Sequence, residues 1–399
     1  MVCWHIITCE YPPQVGGVGD YTRLVAEALA EAGEDVHVWC PKLKDEAREF
    51  ETRDVEEFEA CGVKVHRLFE TFTPAELKRA GKILDERAGP RRLLVQYVPH
   101  GFGYRSMNVA FCLWLWRRAA RGDCVEVMVH EPFLAFGEGS LKQDAAAVVH
   151  RLMAATLMRA SSRVRVSIPA WGEMWRPYGL GRRVPVEWLP VPSTVPVVED
   201  PARTAAVRKS FTTRPDALLL GHFGTYPRHV AEQLKAMLPV VLTRNASATA
   251  LLLGRGGETL REEIVRDNPS LASRVWATGA LEARELSAHL SACDLVLQPF
   301  PDGVTTRRTS VMAALAHGLP VLTTEGRLTE PLWAESRAVA LAPVEVESLV
   351  KLAQSLMADA DERRRLGAAA REFYAERFDL KQTIAALRAG SRNGNGFAA

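Results

Sequence analysis

The chain has 399 residues, of which 47% are hydrophobic and 25% are charged, with a formal net charge of +2. That length exceeds what one hydrophobic core usually fills, and the composition is that of an ordinary globular protein, so we expect two domains of roughly 150–200 residues each. A net charge so close to zero argues against a nucleic-acid partner, and no run of about 20 apolar residues is available to span a bilayer.

The amino-terminal segment is Met1-Val-Cys-Trp-His-Ile-Ile-Thr-Cys9. It is apolar but has neither a basic lead nor a small-residue cleavage site, so it is interpreted as a first strand rather than a secretion signal. The seven cysteines, at positions 3, 9, 40, 61, 112, 124 and 293, show no C-x-x-C spacing. An odd and scattered set predicts reduced core residues in a cytoplasmic protein, and no metal site.

In the first half of the chain, apolar strand-like runs alternate with amphipathic helical stretches. The predicted strands are 2–8, 35–40, 63–68, 92–98, 125–130, 164–168 and 186–189, and the clearest helices are 21–31, 74–86 and 141–160. Strands of nearly continuous Val, Leu and Ile that are separated by helices favour parallel sheets covered on both faces.

Four prolines between positions 190 and 201 interrupt this rhythm and predict a linker. The alternation resumes with predicted strands at 217–223, 249–253, 275–278, 295–298, 321–323 and 339–341, and helices at 346–357, 361–377 and 380–389 close the chain. The tail at 390–396 is expected to be disordered. The predicted fold class is therefore α/β, with two doubly wound Rossmann-like domains facing each other across a cleft and ligands at the carboxyl ends of the strands.

A glycine-rich loop follows the first strand and reads Tyr11-Pro-Pro-Gln-Val-Gly-Gly-Val-Gly-Asp-Tyr21. Its glycines would let backbone amides approach a ligand closely, and Asp20 is expected to cap the helix that follows. A dinucleotide fingerprint is disfavoured, because the third glycine position holds Thr22 and the second strand ends in Cys40-Pro41 rather than an acid. A merely structural glycine loop is the alternative interpretation.

Two further segments of the first half place polar residues after predicted strands. His130 ends an apolar strand, and the segment Gln96-Tyr-Val-Pro-His-Gly-Phe-Gly-Tyr-Arg105 follows another. A lone histidine at a strand end is often a hydrogen-bonded structural residue. The next helix carries aromatic and basic side chains that could bind an acceptor or lie on a membrane surface, although packing on the sheet is favoured: Phe111, Trp114, Trp116, Arg117, Arg118 and Arg121.

The most informative segment is Pro299-Phe-Pro-Asp-Gly-Val-Thr-Thr-Arg-Arg-Thr-Ser-Val-Met-Ala-Ala-Leu-Ala-His-Gly-Leu-Pro-Val321. It joins an apolar strand to a loop with Arg307 and Arg308, then to an alanine-rich helix that stops at Gly318, and then to another strand. Amide groups and the helix dipole at such a helix start, next to two cations, are what a diphosphate requires.

This segment resembles the donor-site element of the retaining, family-four glycosyltransferases of the GT-B fold, the glycosyl transferases group 1 type. The family pattern is Glu-Gly-Phe-Gly, four more residues, then Glu-Ala-Met-Ala-Ala-Gly-x-Pro-Val. Aligned on Gly318, Pro320 and Val321, the second family glutamate falls on Ala313 and the first on Thr305, so this chain diverges at both acids. The Pro-Pro-x-x-Gly-Gly-x-Gly loop is likewise similar to the family's acceptor-side loop.

The start of the second domain is also similar to the family, with one departure. The family carries Gly-Arg and then a lysine about five residues later, whereas this chain has Gly224-Thr225 and leaves Arg228 as the cation. Arg307 and Arg308 could supply the missing charge. The turn Leu251-Leu-Leu-Gly-Arg-Gly-Gly257 resembles the family's strand–glycine turn, with a role in backbone shape.

The resemblance implies a metal-independent hexosyltransferase that uses a nucleotide-diphosphate sugar as donor and a hydroxyl as acceptor, with no tightly bound cofactor and no nucleic-acid partner. It implies an acceptor-side domain at 1–195, a donor domain at 196–378, and at 379–399 a helix that packs back towards the first domain. A non-catalytic sugar-nucleotide or partner-binding protein, or a sugar-nucleotide epimerase, are the alternatives. Peripheral membrane contact is not favoured.

The residues implied for the site form three groups. The catalytic group is His130, Arg228, Arg307 and Arg308. The donor-binding group is Gly224, Thr225, Gly254, Asp302, Gly303, Thr305, Thr306 and Thr309, in which Asp302 would stand in for the first missing acid. The acceptor-side group is Gly16, Gly17, Gly19, Asp20, Tyr97 and His100.

Overall fold

A computed structural model describes residues 3–43, 56–87, 89, 91–137, 139–212, 214 and 217–392. The chain divides into two compact units. Unit 1 comprises Met1–Pro190 together with Leu380–Ala399, and unit 2 comprises Val191–Asp379.

The described strands and helices alternate along most of the chain. The strands are β1 (Cys3–Thr8), β2 (Asp35–Pro41), β3 (Glu56–Ala60), β4 (Val63–Phe69), β5 (Arg91–Tyr97), β6 (Cys124–Val129), β7 (Arg163–Val166), β8 (Val186–Trp188), β9 (Leu219–Phe223), β10 (Thr249–Leu253), β11 (Val275–Ala277), β12 (Leu295–Gln298), β13 (Val321–Glu325) and β14 (Ala340–Pro343). The helices are α1 (Gly17–Glu31), α2 (Pro74–Asp85), α3 (Val109–Ala120), α4 (Leu141–Ala160), α5 (Pro169–Trp175), α6 (Pro201–Phe211), α7 (Arg228–Arg244), α8 (Gly257–Asp267), α9 (Ala283–Ser291), α10 (Thr309–Ala316), α11 (Leu332–Ser336), α12 (Val346–Ala358), α13 (Ala360–Arg377) and α14 (Leu380–Arg392).

Unit 1 is built on a sheet with strand order β3-β4-β2-β1-β5-β6-β7-β8. Strand β3 runs antiparallel to β4, so the expectation of purely parallel pairing is wrong at this edge. Cys61 and Gly62, with φ of 52° and 73°, form the tight turn between these two strands. The polar sequence of β3 shows no apolar run, which is why no strand was predicted there.

Unit 2 contains a parallel six-stranded sheet with order β11-β10-β9-β12-β13-β14. Strands β9, β10 and β12 are almost completely buried, because helices cover both faces of a parallel sheet. The chain order reverses between β9 and β12, and ligands of such sheets bind beyond the carboxyl ends of the strands at that point.

The carboxyl-terminal helix α14 belongs to unit 1, although the helix before it belongs to unit 2. Leu387 of α14 is buried, and Arg165 donates to the carbonyl oxygen of Ala386 at 3.1 Å. The predicted disorder is wrong for residues 390–392, which are helical, and the rest of the predicted tail lies outside the described residues.

Helix α3 packs largely as expected, with Phe111 buried and Trp116 exposed. Arg118 differs from the expectation of solvated cations, since it is buried between Asp85 and Asp123, with N–O distances of 2.6 and 2.5 Å. Among the described residues, no helix combines the length and apolar character needed to cross a membrane. All seven cysteines are thiols without a disulfide, and Cys61 in the β3–β4 turn is exposed rather than in the core.

Candidate functional site

The candidate donor site of unit 2 lies where β12 ends and a loop at 299–308 leads into α10. Side chains of the neighbouring strand β13 hold this loop: Thr323 donates to the Gln298 carbonyl oxygen at 2.7 Å, and the Phe300 amide donates to Thr324 Oγ1 at 2.8 Å. Gly303 has φ of 89°, and a Cβ atom there would lie 2.1 Å from Oγ1 of Thr329. The loop is therefore packed onto the sheet and depends on glycine at this point.

Two arginines of the loop share one carboxylate at the start of α10. Nη2 of Arg308 lies 2.6 Å from Oδ1 of Asp302, and Nη2 of Arg307 lies 3.5 Å from Oδ2. The Arg308 guanidinium also stacks over the Phe300 ring, with 4.3 Å to its centroid. Asp302 is therefore the ion-pair partner of both arginines. Because two cations share one anion, an excess positive charge remains here.

The amino end of α10 is the candidate position for an anion. Within the described residues, no side chain caps this eight-residue helix, whose N-cap position is Arg308. Thr309 and Ser310 form its first residues, and both are partly buried. Helix amides, the helix dipole and the excess charge of the arginines therefore act in the same direction.

Gly224 and Gly254 bring the backbones of β9 and β10 together beside this helix. A Cβ atom on Gly254, which has φ of 105°, would lie 2.3 Å from the Gly224 carbonyl oxygen. A Cβ atom on Gly224 would meet Ser310 of α10 at ordinary contact distances of 3.8 and 3.9 Å. The glycines predicted for donor binding thus adjoin the first turn of α10, and Gly254 permits close backbone approach.

The positions of the two family acids are both buried. Ala313 lies inside α10 and Thr305 lies in the loop, each 0% exposed. The nearest buried acid in the loop's surroundings is Glu330, whose Oε1 accepts from the amide and hydroxyl of Thr306 at 3.0 and 2.6 Å and whose Oε2 accepts from Trp333 at 2.8 Å. Glu330 was missed from the sequence because it lies 24 residues beyond Thr306, outside any motif.

The predicted donor-site residues Thr225 and Arg228 both lie at the surface. Thr225 is exposed, and the Arg228 side chain is 92% exposed at the start of α7, where it forms an ion pair with Glu232 at 2.7 Å. The structure thus brings Gly224 and Gly254 next to the first turn of α10, whereas the Arg228 side chain is exposed beside Glu232.

His130 of unit 1 lies directly after β6, at the carboxyl edge of the sheet. Its Nε2 is 2.8 Å from Oε1 of Gln96 on β5, and its ring meets the edge of Tyr21 on α1 with centroids 5.0 Å apart. Its backbone carbonyl accepts from Trp171 at 3.2 Å. Burial lowers the pKa of His130 to about 3, so the ring is neutral near pH 7.

The glycine loop of unit 1 surrounds the side chain of Glu10, the residue that precedes it. Oε1 of Glu10 accepts from the amides of Val18 and Gly19 at 2.8 and 2.9 Å, and a Cβ atom on Gly16 would lie 2.2 Å from this carboxyl group. Helix α1 begins at Gly17, so the expectation that Asp20 caps it is wrong. Glu10 does so instead, because its carboxylate reaches the amides from the end of β1.

The other acceptor-side residues take different positions. Tyr97 ends β5 and is fully buried, packed against Trp175 with ring centroids 5.5 Å apart. The His100 side chain is 62% exposed, and its Nδ1 lies 3.5 Å from Oε2 of Glu131.

One group of possible metal ligands lies among the described residues, at the opposite edge of the unit 1 sheet. Atoms of Cys3, Asp35 and His37 lie within 4.8 Å of one another. Asp35 is 2.9 Å from the Lys64 ammonium, and His37 Nε2 is 3.4 Å from Arg87 Nη1. Cations of the chain itself thus adjoin these ligand atoms, and the group is remote from the strand ends described above.

Two family models match parts of the sequence. The glycosyl transferases group 1 model matches residues 214–359, and the model of the starch synthase catalytic domain matches residues 5–86. No curated protein sequence matches the chain.

Solved structures match nearly the whole chain. Sucrose-phosphate synthase from Thermosynechococcus elongatus is 17% identical with a TM-score of 0.74, over 98% of this chain and 99% of that one. HepE from Anabaena, in complex with UDP and glucose, is 15% identical with a TM-score of 0.69, over 98% and 100%. The catalytic domain of starch synthase IV from Arabidopsis thaliana, bound to ADP and acarbose, is 13% identical with a TM-score of 0.64, over 96% and 99%.

At these identities the structures establish the fold, and the family model in unit 2 adds the sequence relationship. The predicted fold class is thereby confirmed as mixed α/β with parallel sheets. The chain has the GT-B fold of the glycosyltransferase structures that it resembles, and residues 214–359 of its second unit match the glycosyl transferases group 1 model.

Proposed function

We propose that this protein transfers a hexosyl unit from a nucleotide-diphosphate sugar to a hydroxyl acceptor, with retention of anomeric configuration and without a metal ion. The observation that carries the proposal is the candidate anion site of unit 2. There the open amino end of α10, Arg307 and Arg308 meet at the carboxyl edge of a parallel sheet. Structural neighbours support the donor class, since HepE is bound to UDP and starch synthase IV to ADP.

The chemistry follows from the charge on the leaving group. As the bond from the anomeric carbon to the phosphate oxygen breaks, negative charge grows on the departing diphosphate. Helix amides and guanidinium groups already in place stabilise that charge in the transition state. The acceptor oxygen bonds to the anomeric carbon, and its proton passes to the leaving phosphate oxygen on the same face, as the family resemblance implies.

The absence of both family acids bears on donor recognition. Neither Ala313 nor Thr305 can accept a hydrogen bond as a carboxylate does, so ribose and sugar hydroxyls need other acceptors in this chain. We propose that the following residues of unit 2 contact the donor: Gly224, Thr225, Gly254, Asp302, Gly303, Thr306, Thr309 and Arg228. On unit 1, His130 and the residues near the glycine loop remain proposed contacts of the sugar and the acceptor.

A nucleotide panel tests the proposal. UDP, GDP, ADP and dTDP are each added in a thermal-shift measurement, with the corresponding nucleosides as controls that lack the diphosphate. A nucleotide at a hundred times its Kd adds roughly 2.7 kcal/mol of apparent stability, and the nucleosides should give much less. The absence of any nucleotide shift would contradict the proposal.

A second assay separates transfer from the alternatives. The glucose derivative of each nucleotide that binds is incubated with and without candidate hydroxyl acceptors, and the products are identified. Acceptor-dependent product with the donor's configuration supports the proposed reaction. Binding without consumption favours a non-catalytic sugar-nucleotide protein, and a new sugar nucleotide formed without an acceptor favours an epimerase.

A further inference from the structure

A buried histidine that no motif singles out lies against the proposed diphosphate position. His222, on β9, is 3% exposed. Its Nδ1 is 2.7 Å from the Leu297 carbonyl oxygen on β12. A carbonyl can only accept, so Nδ1 carries the proton and Nε2 of the neutral ring carries a lone pair.

The Nε2 atom is the unusual feature of this residue. It has no hydrogen-bond partner within the described part of the chain, although the ring is almost completely buried. A buried polar atom without a partner costs free energy and therefore requires an explanation.

The position of Nε2 suggests an explanation for its missing partner. A Cβ atom built on Gly224 would lie 3.9 Å from Nε2 of His222 and 3.9 Å from Oγ of Ser310. Ser310 is the second residue of α10, the helix whose amino end lacks a side-chain cap among the described residues. Nε2 and the first turn of α10 thus both lie within 4 Å of the position that a side chain on Gly224 would occupy, next to which the diphosphate is proposed to bind.

We propose that His222 takes up a proton from solvent when a nucleotide diphosphate binds, and that Nε2–H then donates a hydrogen bond to a phosphate oxygen. This inference rests on the proposed function. A lone pair facing a phosphate oxygen is repulsive, whereas a protonated ring beside the anion is attractive. The ring would add a positive charge to those of Arg307 and Arg308, and only while the ligand is bound.

The surroundings of His222 are suited to such a response. Its neighbours are neutral: Leu252 on β10 and Leu297 on β12, with Ser310 on α10 and the Tyr226 ring at 5.1 Å. Burial lowers its pKa to about 4, while the bond to Leu297 opposes the shift, and no charged side chain among the described residues contributes. The ring is therefore neutral in the free protein at pH 6–8, and a bound anion would be its main charged partner.

Proton uptake is measured by titration calorimetry with the nucleoside diphosphate that binds best, in two buffers of different ionisation enthalpy, at several values between pH 6 and 8. The test variant is His222→Asn, because the Asn side-chain amide can keep the bond to Leu297 while Nε2 is removed. The wild type should take up a fraction of a proton that increases as the pH is lowered. At pH values between the pKa of His222 in the free protein and its pKa in the complex, the Kd of the wild type should fall by up to about tenfold for each unit by which the pH is lowered.

Ionisation of the nucleotide itself contributes equally to both proteins, so the difference between them is the measured quantity. Nucleotide binding with the same proton uptake in wild type and His222→Asn overturns this inference and leaves the proposed function intact. The absence of nucleotide binding by the wild type overturns both. A thermal melt of the variant without ligand, within a few degrees of wild type, excludes loss of binding through unfolding.

Discussion

Arg307 and Arg308 are held by the carboxylate of Asp302 before any ligand arrives. A bound diphosphate would therefore meet guanidinium groups that are already oriented, and it would compete with Asp302 for them. Preorganised charge of this kind is worth more than flexible surface charge, because less side-chain entropy is lost on binding.

Removal of either arginine should weaken catalysis at least as much as binding. A charge-assisted hydrogen bond contributes roughly 1.5–3 kcal/mol, so Arg307→Ala and Arg308→Ala should each cost on the order of 10- to 150-fold in kcat/KM. The loss should appear in kcat, since charge grows on the diphosphate as the bond breaks, and lysine should rescue only in part.

Steady-state kinetics and nucleotide titration measure these effects, and Arg266→Ala is the control because the Arg266 side chain is 70% exposed in the last turn of α8. If the two single variants and the double variant keep kcat/KM and the nucleotide Kd within twofold of wild type, the diphosphate binds elsewhere.

His130 should affect transfer more than nucleotide affinity. It lies on unit 1 at the end of β6, whereas the proposed diphosphate position is in unit 2. His130→Ala should therefore lower kcat with little change in nucleotide Kd, and Gln96→Ala, which removes the same hydrogen bond but leaves the ring, should have the smaller effect. With a pKa near 3, His130 should contribute no inflection to the pH–rate profile between pH 5 and 8. Equal losses in transfer and nucleotide affinity would refute this role.

At the scale of the element, helix α1 shows how one distant side chain sets a helix start. The amides of Val18 and Gly19 donate hydrogen bonds to the carboxylate of Glu10, which precedes the glycine loop in the chain. The negative charge also interacts favourably with the helix dipole.

Glu10→Ala should therefore lower the free energy of unfolding by about 1–3 kcal/mol, because partly buried amides lose their acceptor. Glu10→Gln should lose less, since an amide oxygen can still accept. Urea unfolding measures both, and Glu31→Ala, in the last turn of the same helix, should be nearly neutral. If Glu10→Ala is as stable as Glu31→Ala, the carboxylate does not hold the helix start.

Three neighbouring strands of unit 1 carry a group of buried histidines. His5 and His37 are register partners on β1 and β2, and His37 Nδ1 is 2.9 Å from Nε2 of His66 on β4. Trp39 donates to Nδ1 of His5 at 3.2 Å and stacks on His66. Burial lowers the pKa of His5 and His66 to about 3 and that of His37 to about 4.

These histidines should make the fold sensitive to acid. Their pKa values are lower in the folded chain than in the unfolded chain, where they are about 6.5, so the unfolded state binds more protons once the pH falls below that value. Above pH 7 these histidines should leave the free energy of unfolding independent of pH. Between about pH 6.5 and 4 the free energy of unfolding should fall as the pH is lowered, by up to about 1.4 kcal/mol per pH unit for each histidine.

Urea unfolding at a series of pH values tests this, with His5→Asn as the variant because its side-chain oxygen can still accept from Trp39 without titrating. The variant should show a shallower decline than wild type. An identical slope would mean that His5 is not protonated on unfolding in this range.

At the scale of the whole molecule, the chain returns to its first unit at the end. Helix α14 is joined to α13 of unit 2 in sequence, yet it completes the core of unit 1 with Leu387, and Arg388 forms an ion pair with Glu34 at 2.9 Å. Arg165, which donates to the backbone of α14, shares the carboxylate of Glu126 with Arg92, and all three side chains are buried. The final helix is thus tied to a buried charge cluster as well as to an apolar core.

Deletion of residues 380–399 should therefore destabilise unit 1 and spare unit 2. Exposure of the surface beneath Leu387 costs roughly 1.5–3 kcal/mol, and loss of the Ala386 carbonyl leaves a buried arginine with one partner fewer. Hydrogen exchange should show lost protection in α1 and the neighbouring strands but not in β9–β14. Equal loss of protection in both units would contradict this division.

The sequence by itself determined much of the architecture. Alternation of apolar strands and amphipathic helices is a local property, so it predicted two sheets that are parallel except at the β3–β4 edge, and a helix at 141–160 that the structure contains as α4. The four prolines between positions 190 and 201 predicted a linker between them. It also indicated the strand, cationic loop and helix around Arg307 and Arg308, because these residues are contiguous in the chain.

Only the tertiary structure decided which groups meet. The pairing of polar β3 with β4, the Glu10 carboxylate on α1, and Asp302 holding both arginines depend on geometry that no periodicity records. His222 looked like an ordinary strand residue, whereas the structure places its Nε2 and Ser310, which is 88 positions away in the sequence, beside the same glycine, Gly224. The physical reason is that apolar burial sets elements through local patterns, whereas hydrogen bonds and charges act over a few ångströms between residues that folding alone brings together.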